Sequence, residues 1–201
     1  MPDNPVETHY TREDLGEAIL AALKAAGKDI NHLTPDDLAP VDEFHGGQRP
    51  ATVRLAELVG FTGTERVLDV GSGLGGPSRY LAWHYGCHVS GVDLTAEFVR
   101  VAEMLTRLTG LVDKADYRQG NALDLPLEDM SFDVVWSQNA AMNIADPTGS
   151  IAKCAASSNP AASSPCRRSP QGRAARRTTG AVGARAGHQL SLSAGSNPRN
   201  A

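Results

Sequence analysis

Aromatic residues are scarce in this 201-residue chain, at 5%, and none falls within residues 146–201. That last stretch also carries a single acid, Asp146, against eight basic residues. Without aromatics it cannot bury much apolar surface, and its Ala, Ser, Pro, Gly and Arg bias is the composition of a disordered basic tail. Its charge does not make it a nucleic-acid binder, because it offers neither a stacking platform nor a recognisable module. Cysteine is nearly as rare. Cys87, Cys154 and Cys166 form an odd, scattered set without metal-ligand spacing, so we expect reduced thiols, no metal site and a cytoplasmic setting. No apolar run approaches the ~18 residues of a membrane span, and the polar, acidic opening MPDNPVETHY does not read as a secretory signal.

What the chain does contain is concentrated in residues 1–145, which hold 22 acids and 11 bases. Leu15, Ala18, Ile19, Ala22 and Leu23 recur at helical spacing, with Thr11 and Asp14 as a candidate capping box and Gly27 as the stop. Thr34–Pro35 opens a second short helix, and PATVRLAELVG reads as a third, ending at Gly60. The pattern then changes. RVLDV (66–70), CHVSGVD (87–93), ADYRQG (115–120) and FDVVWSQ (132–138) are strand-like, and the first two are each followed by a helix: one through SRYLAWHYG, the other capped by Thr95 and running to about Thr109. Strands alternating with helices predict an α/β fold with a parallel, doubly wound sheet.

The most informative segment is VLDVGSGLGG. Gly71, Gly73 and Gly76 satisfy GxGxxG between a strand and a helix, the pattern of a tight turn that lets a ligand approach bare backbone. Asp93 ends the next strand, where a carboxylate can accept both hydroxyls of a ribose. Both features also fit a dinucleotide enzyme. Three others favour a different ligand. Asp69 sits two residues before Gly71, a carboxylate that would repel a pyrophosphate and welcome an ammonium or sulfonium. Some sixty mostly helical residues precede the loop, and GNALDLPLEDMSFDVVWSQ sets a polar-to-apolar turn before the fourth strand. Packing alone gives strand-end carboxylates such as Asp69 and Asp93 no reason to be there.

DVGSGLGGPSRYLA, GVDLT, GNALDLP and SFDVVWSQNAAMNI resemble, in that order, the motifs of small-molecule class I S-adenosylmethionine-dependent methyltransferases. The resemblance covers roughly residues 40–145. It is closest to the group containing ubiquinone/menaquinone C-methyltransferases, tocopherol methyltransferases and sarcosine/dimethylglycine N-methyltransferases. It implies a Rossmann-like fold, S-adenosyl-L-methionine as cofactor and a small-molecule methyl acceptor. It also implies that Asp69, Gly71, Ser72, Gly73 and Gly75 line the methionine part, Asp93 the ribose and Leu94 the adenine. Asn121 and Ala122 would meet the adenine edge, with Gln138 beside the reacting centre. The family usually has Asp where this chain has Asn121, so weaker cofactor binding is expected. It often has His near Asn139.

Methyl transfer from a sulfonium depends chiefly on orientation, so no catalytic triad is required. His45, Gln138 and Asn139 are the candidates for a catalytic role, and Tyr10 is a candidate for an N-terminal lid. His84 and His88 read as structural, Trp83 and Tyr85 as core and turn packing, and Trp136 as core.

Family members continue past the fourth strand with a helix, a KPGG-type turn and further strands, whereas residues 147–179 here read PTGSIAKCAASSNPAASSPCRRSPQGRAARRTT. Their composition is that of an out-of-frame reading of GC-rich coding DNA, as a frameshift near Asp146 would give. The expected organisation is therefore a helical lid segment (1–48), a cofactor-binding half-domain (49–145) truncated after the fourth strand, and a basic tail (146–201). The fourth strand would then be an exposed apolar edge. Two other functions stay open: a cofactor-binding remnant without turnover and a dinucleotide-dependent dehydrogenase.

Overall fold

The computed structural model describes residues 15–43, 45–125, 132–140 and 143, and the backbone of the strand at 181–185. Three helices come first: α1 (Leu15–Ala25), α2 (Pro35–Asp42) and α3 (Gln48–Val59). Thr11, Asp14 and Tyr10 lie outside the described residues. A capping box does occur, but at α2, where Thr34 Oγ1 accepts from Asp37 N–H at 3.3 Å and Asp37 Oδ2 accepts from Thr34 N–H at 2.9 Å. Gly27 ends α1 as expected: its φ of +75° lets the Lys28 amide reach back to Leu23 O at 3.0 Å.

The sheet strands are β1 (Arg66–Val70), β2 (His88–Asp93), β3 (Ala115–Gln119), β4 (Val134–Gln138) and β5 (Ala181–Arg185), in spatial order β3-β2-β1-β4-β5. The first four are mutually parallel, as the strand–helix alternation predicts, with Asp69 opposite Gly91 on one side and Trp136 on the other. Both faces of β1 are covered, which its near-continuous apolar run requires. Val67, Val89, Val134 and Trp136 pack on one face with Ala56, Tyr80 and Leu81, while Leu68, Val70, Val92 and Val135 pack on the other.

The helix after the glycine loop is not uniform. It runs as α4 (Gly76–Tyr80) and widens into a π-turn (Leu81–Tyr85) closed by Gly86. Helix α5 (Ala96–Leu108) follows β2. Thr95 occupies its N-cap position without a side-chain capping bond; instead its amide donates to Asp93 Oδ1 at 2.9 Å.

One expectation is corrected. β4 is not an open edge, because Ala181–Arg185 pairs with it antiparallel, from Val134↔Arg185 to Gln138↔Ala181. An inner strand's amides and carbonyls need partners, and this segment of the tail supplies them.

The helices before the sheet are built into it. Ile19, Leu23 and Leu38 share a core cluster with Phe98, Val101 and Leu105 of α5 and with Leu74 of the glycine loop. Arg79, fully buried, fastens the same junction. It donates to Asp42 Oδ2 at 2.7 Å, to Leu74 O at 2.5 Å, and to Ala102 O and Thr106 Oγ1 at 3.1 Å. Removing one partner of a buried pair strands the other charge. Asp42→Ala is therefore expected to cost about 3–5 kcal/mol in urea unfolding of the full chain; a loss below about 1 kcal/mol would mean that Arg79 finds water or another acceptor.

Candidate functional site

The loop after β1 turns on glycine. Gly71, Gly73 and Gly75 have φ of +75°, +54° and +78°. Two of these positions also have no room for a side chain: a Cβ at Gly71 would collide with Ala140, and one at Gly75 with the Tyr117 ring. The turn is held by its own amides. Gly71 and Ser72 donate to Val92 O at 2.8 and 3.2 Å, Gly75 donates to Ser72 O at 2.9 Å, and Gly73 donates to Asp93 Oδ2 at 2.8 Å.

Asp69 lies under this turn with 2% of its surface exposed, accepting a 2.6 Å hydrogen bond from the Ser78 hydroxyl of α4. Burial drives its pKa up to about 7; the Ser78 bond opposes the shift and the nearby charge of Asp93 adds to it. Asp93 is also raised by burial, against the pull of the Thr95 and Gly73 amides. Both carboxylates thus have structural partners, Ser78 for one and the loop amides for the other. The expectation that packing gives them no reason to be there is corrected to this extent. What the packing leaves unanswered is the charge: among the described residues no cation pairs with either.

The remaining sequence candidates divide. Leu94, half-buried just past β2, has its carbonyl held by Gln119 Nε2 at 3.1 Å. Asn121 is exposed, and its Oδ1 accepts from the Leu123 amide at 2.9 Å, so the oxygen expected to meet a base is engaged in its own turn. Ala122 packs at the edge of the Leu68–Val92 cluster. Asn139 follows β4 with φ +58°, the left-handed region that Asn tolerates better than most residues. Trp136 is core, as expected, and His84 stacks on Tyr80 with ring centroids 5.1 Å apart. Tyr85 packs against Phe61 at 5.4 Å, whereas Trp83 is 45% exposed and so is not core. Burial pushes the Cys87 thiol up to about 12, leaving it an inert packing group, and no metal-binding cluster exists among the described residues.

Sequence reasoning missed the polar cluster around Thr52. His45 does join it: its Nε2 is 3.5 Å from Thr52 Oγ1 and 3.7 Å from Glu43 Oε2. Burial lowers the His45 pKa, so the ring is neutral at physiological pH. The Glu43 side chain is completely buried and meets Arg49 Nη1 at 2.7 Å and Thr52 Oγ1 at 2.8 Å. Thr52 also lies 3.2 Å from Gln138 Oε1 at the end of β4. The only advance signal was the run DEFHGGQRPAT, dense in charge and glycine just before a helix.

A family model described as a methyltransferase domain matches residues 68–161. The chain is similar to a glycine/sarcosine/dimethylglycine N-methyltransferase of Actinopolyspora halophila, 36% identical over 153 residues that make up 73% of this chain and 26% of that one. It is also similar to a sarcosine/dimethylglycine N-methyltransferase of Halorhodospira halochloris, 30% identical over 149 residues, 72% of this chain and 52% of that one. Among solved structures, the [4+2]-cyclase SpnF shares the fold with a TM-score of 0.55 and 27% identity, over 77% of this chain and 56% of that one. The chain thus spans from about a quarter to about half the length of the curated relatives named here. With the parallel β3-β2-β1-β4 order and the glycine turn above a buried acid, these matches identify residues 68–161 as a methyltransferase domain of the class I S-adenosylmethionine-dependent kind.

Proposed function

We propose that the chain binds S-adenosyl-L-methionine and serves methyl transfer to a small-molecule acceptor. The observation that carries this reading is Asp69: a carboxylate under the glycine turn whose pKa burial raises to about 7, with no cation beside it among the described residues. An ammonium group at that position supplies the missing charge. A diphosphate would face a carboxylate instead, and the amides of Gly71, Ser72, Gly73 and Gly75 already donate to protein oxygens. That disfavours a dinucleotide.

When bound, the cofactor supplies a methyl group already activated on a sulfonium, with a neutral leaving group. The residues of the chain then have positioning work to do. Asp69 would hold the amino-acid end. Asp93, whose two oxygens each keep a lone pair after the Gly73 and Thr95 bonds, would take the ribose hydroxyls. Leu94 and Ala122 would flank the adenine. Asn121 would reach the adenine only by giving up its turn bond to Leu123, which adds a physical reason for weak binding. A base is needed only for an acceptor that must lose a proton, and His45, kept neutral by burial, is the candidate. The relatives named for glycine, sarcosine and dimethylglycine suggest an amine of that size as the acceptor. No helix among the described residues is long and apolar enough to cross a membrane.

A second reading, binding without turnover, is favoured by one observation: the described sheet ends in a short antiparallel strand beyond β4, where the resemblance calls for a parallel one. It fits a frameshift near Asp146, which the nucleotide sequence tests directly.

Calorimetric titration of the full chain with S-adenosylhomocysteine is expected to give saturable heat, and NAD none; the reverse result removes the proposal. Transfer of a labelled methyl group to glycine, sarcosine or dimethylglycine separates an enzyme from a binding remnant.

Asp69→Asn tests the key residue from both sides. A carboxyl whose folded pKa is raised contributes stability below its unfolded pKa and loses it as pH rises towards the folded value, here between about 4 and about 7. At pH 8 the ligand-free Asn variant, which still accepts from Ser78, is expected to melt roughly 2–4 °C higher. It should bind S-adenosylhomocysteine about tenfold more weakly. An unchanged affinity in a thermal-shift titration would contradict the role of Asp69.

A further inference from the structure

The cluster around Thr52 contains a hydrogen-bonding problem with one good solution. Thr52 has one hydroxyl proton and three neighbours: Glu43 Oε2 at 2.8 Å, Gln138 Oε1 at 3.2 Å and His45 Nε2 at 3.5 Å. Burial raises the Glu43 pKa, while Arg49 Nη1 at 2.7 Å and the Thr52 hydroxyl pull it back; as a carboxylate, Glu43 is the strongest acceptor of the three. The proton therefore goes to Glu43. Thr52 Oγ1 then offers only lone pairs to Gln138, and two oxygens facing each other at that distance repel.

Meanwhile Gln138 Nε2 is buried with no partner among the described residues. Turning the amide by half a revolution resolves both faults. Nε2 donates to Thr52 Oγ1, and Oε1 takes the buried position that Nε2 vacates, as an acceptor without a donor among the described residues. The two ends of an amide are chemically distinct but nearly equal in shape, so only the hydrogen-bond network selects between them.

The sheet places that acceptor. Trp136 stands opposite Asp69 in the β4–β1 pairing, and Gln138, two residues on, shares its face one step nearer the mouth of the site. Val67 and Trp136 pack in one cluster, so Asp69 and Gln138 look to the same side of the sheet. An ammonium group carries three donors, of which Asp69 can take one or two.

We propose that Thr52, held by Glu43, is a positioning residue that fixes the Gln138 amide with its carbonyl oxygen directed at the ammonium group of the bound cofactor. This rests on the cofactor reading given above. Glu43 and Thr52 come from the end of α2 and from α3, so the N-terminal helices act on the cofactor's amino-acid end through the strand across from them.

The test uses the full chain and two probes. S-adenosylhomocysteine has the amino-acid end; 5′-methylthioadenosine keeps the adenosine and thioether and lacks it. Thr52→Val preserves shape and removes the hydroxyl, Thr52→Ser restores the hydroxyl, and Gln138→Met removes the amide with Thr52 intact. The Val and Met variants are expected to bind S-adenosylhomocysteine about tenfold more weakly, with 5′-methylthioadenosine unchanged and the Ser variant at the wild-type value. Wild-type affinity for S-adenosylhomocysteine in both the Val and Met variants would overturn the proposal. So would equal weakening of both probes, which marks a role in packing alone; should Thr52→Val fail to fold, Gln138→Met reads the same differential. A wild-type chain that binds neither probe removes the cofactor reading itself, and this proposal with it.

Discussion

A carboxylate out of water with only a hydroxyl for company is a costly thing to build into a sheet, and the site is organised around one. Asp69 sits at the carboxyl end of β1, 2% exposed, with Ser78 as its one hydrogen-bond donor among the described residues and a second acid, Asp93, near enough to push its pKa further up. A carboxyl with a pKa of about 7 is partly protonated near neutral pH, and a cation beside it would favour its charged form. The glycine turn lies above it, held by its own amides. At Gly71 and Gly75 the neighbouring chain leaves no space for a side chain, and the positive φ values suit glycine alone.

The helices before the sheet belong to the same construction. Arg79 ties Asp42 at the end of α2 to the carbonyl of Leu74 in the glycine loop, and the Leu38–Leu74–Leu105 cluster covers the junction. A buried ion pair and an apolar cluster thus build these described helices into the core beside the sheet. A second acid, Glu43, reaches in the other direction, through Thr52 to the end of β4. Two adjacent residues, Asp42 and Glu43, thereby connect one short helix to both flanks of the turn.

Much of this arrangement was legible in the amino-acid order. Each of the four parallel strands falls where the sequence pattern places it, to within two residues: β1 is near-continuously apolar because both its faces are buried, whereas in β3 buried Ala115 and Tyr117 alternate with exposed residues. The glycine turn and the two acids could be read for the same reason: no surface loop needs that spacing. The polar cluster could not. Thr52 lies in the middle of a helix whose period gives no hint that its hydroxyl faces a glutamine 86 residues away, and Arg79 looks like any basic residue near a helix start. Contacts of that range depend on how the elements pack, which periodicity does not encode. Asn121 illustrates a different limit, since its neighbours in sequence, not the fold, engage its amide oxygen. The strand at 181–185 escaped notice because an alanine- and glycine-rich segment has little strand propensity of its own; the open edge of β4 supplies the pairing.

The account stands on the claim that Asp69 waits for a positive charge. Calorimetry of S-adenosylhomocysteine binding at pH 7, repeated in buffers of different ionisation enthalpy, counts the protons exchanged on binding. A carboxyl with a pKa of about 7 that meets an ammonium group must release a proton from the fraction of molecules that hold one, up to about half a proton per site. The release should disappear in Asp69→Asn. Binding with no net proton exchange, or with uptake, would contradict the claim.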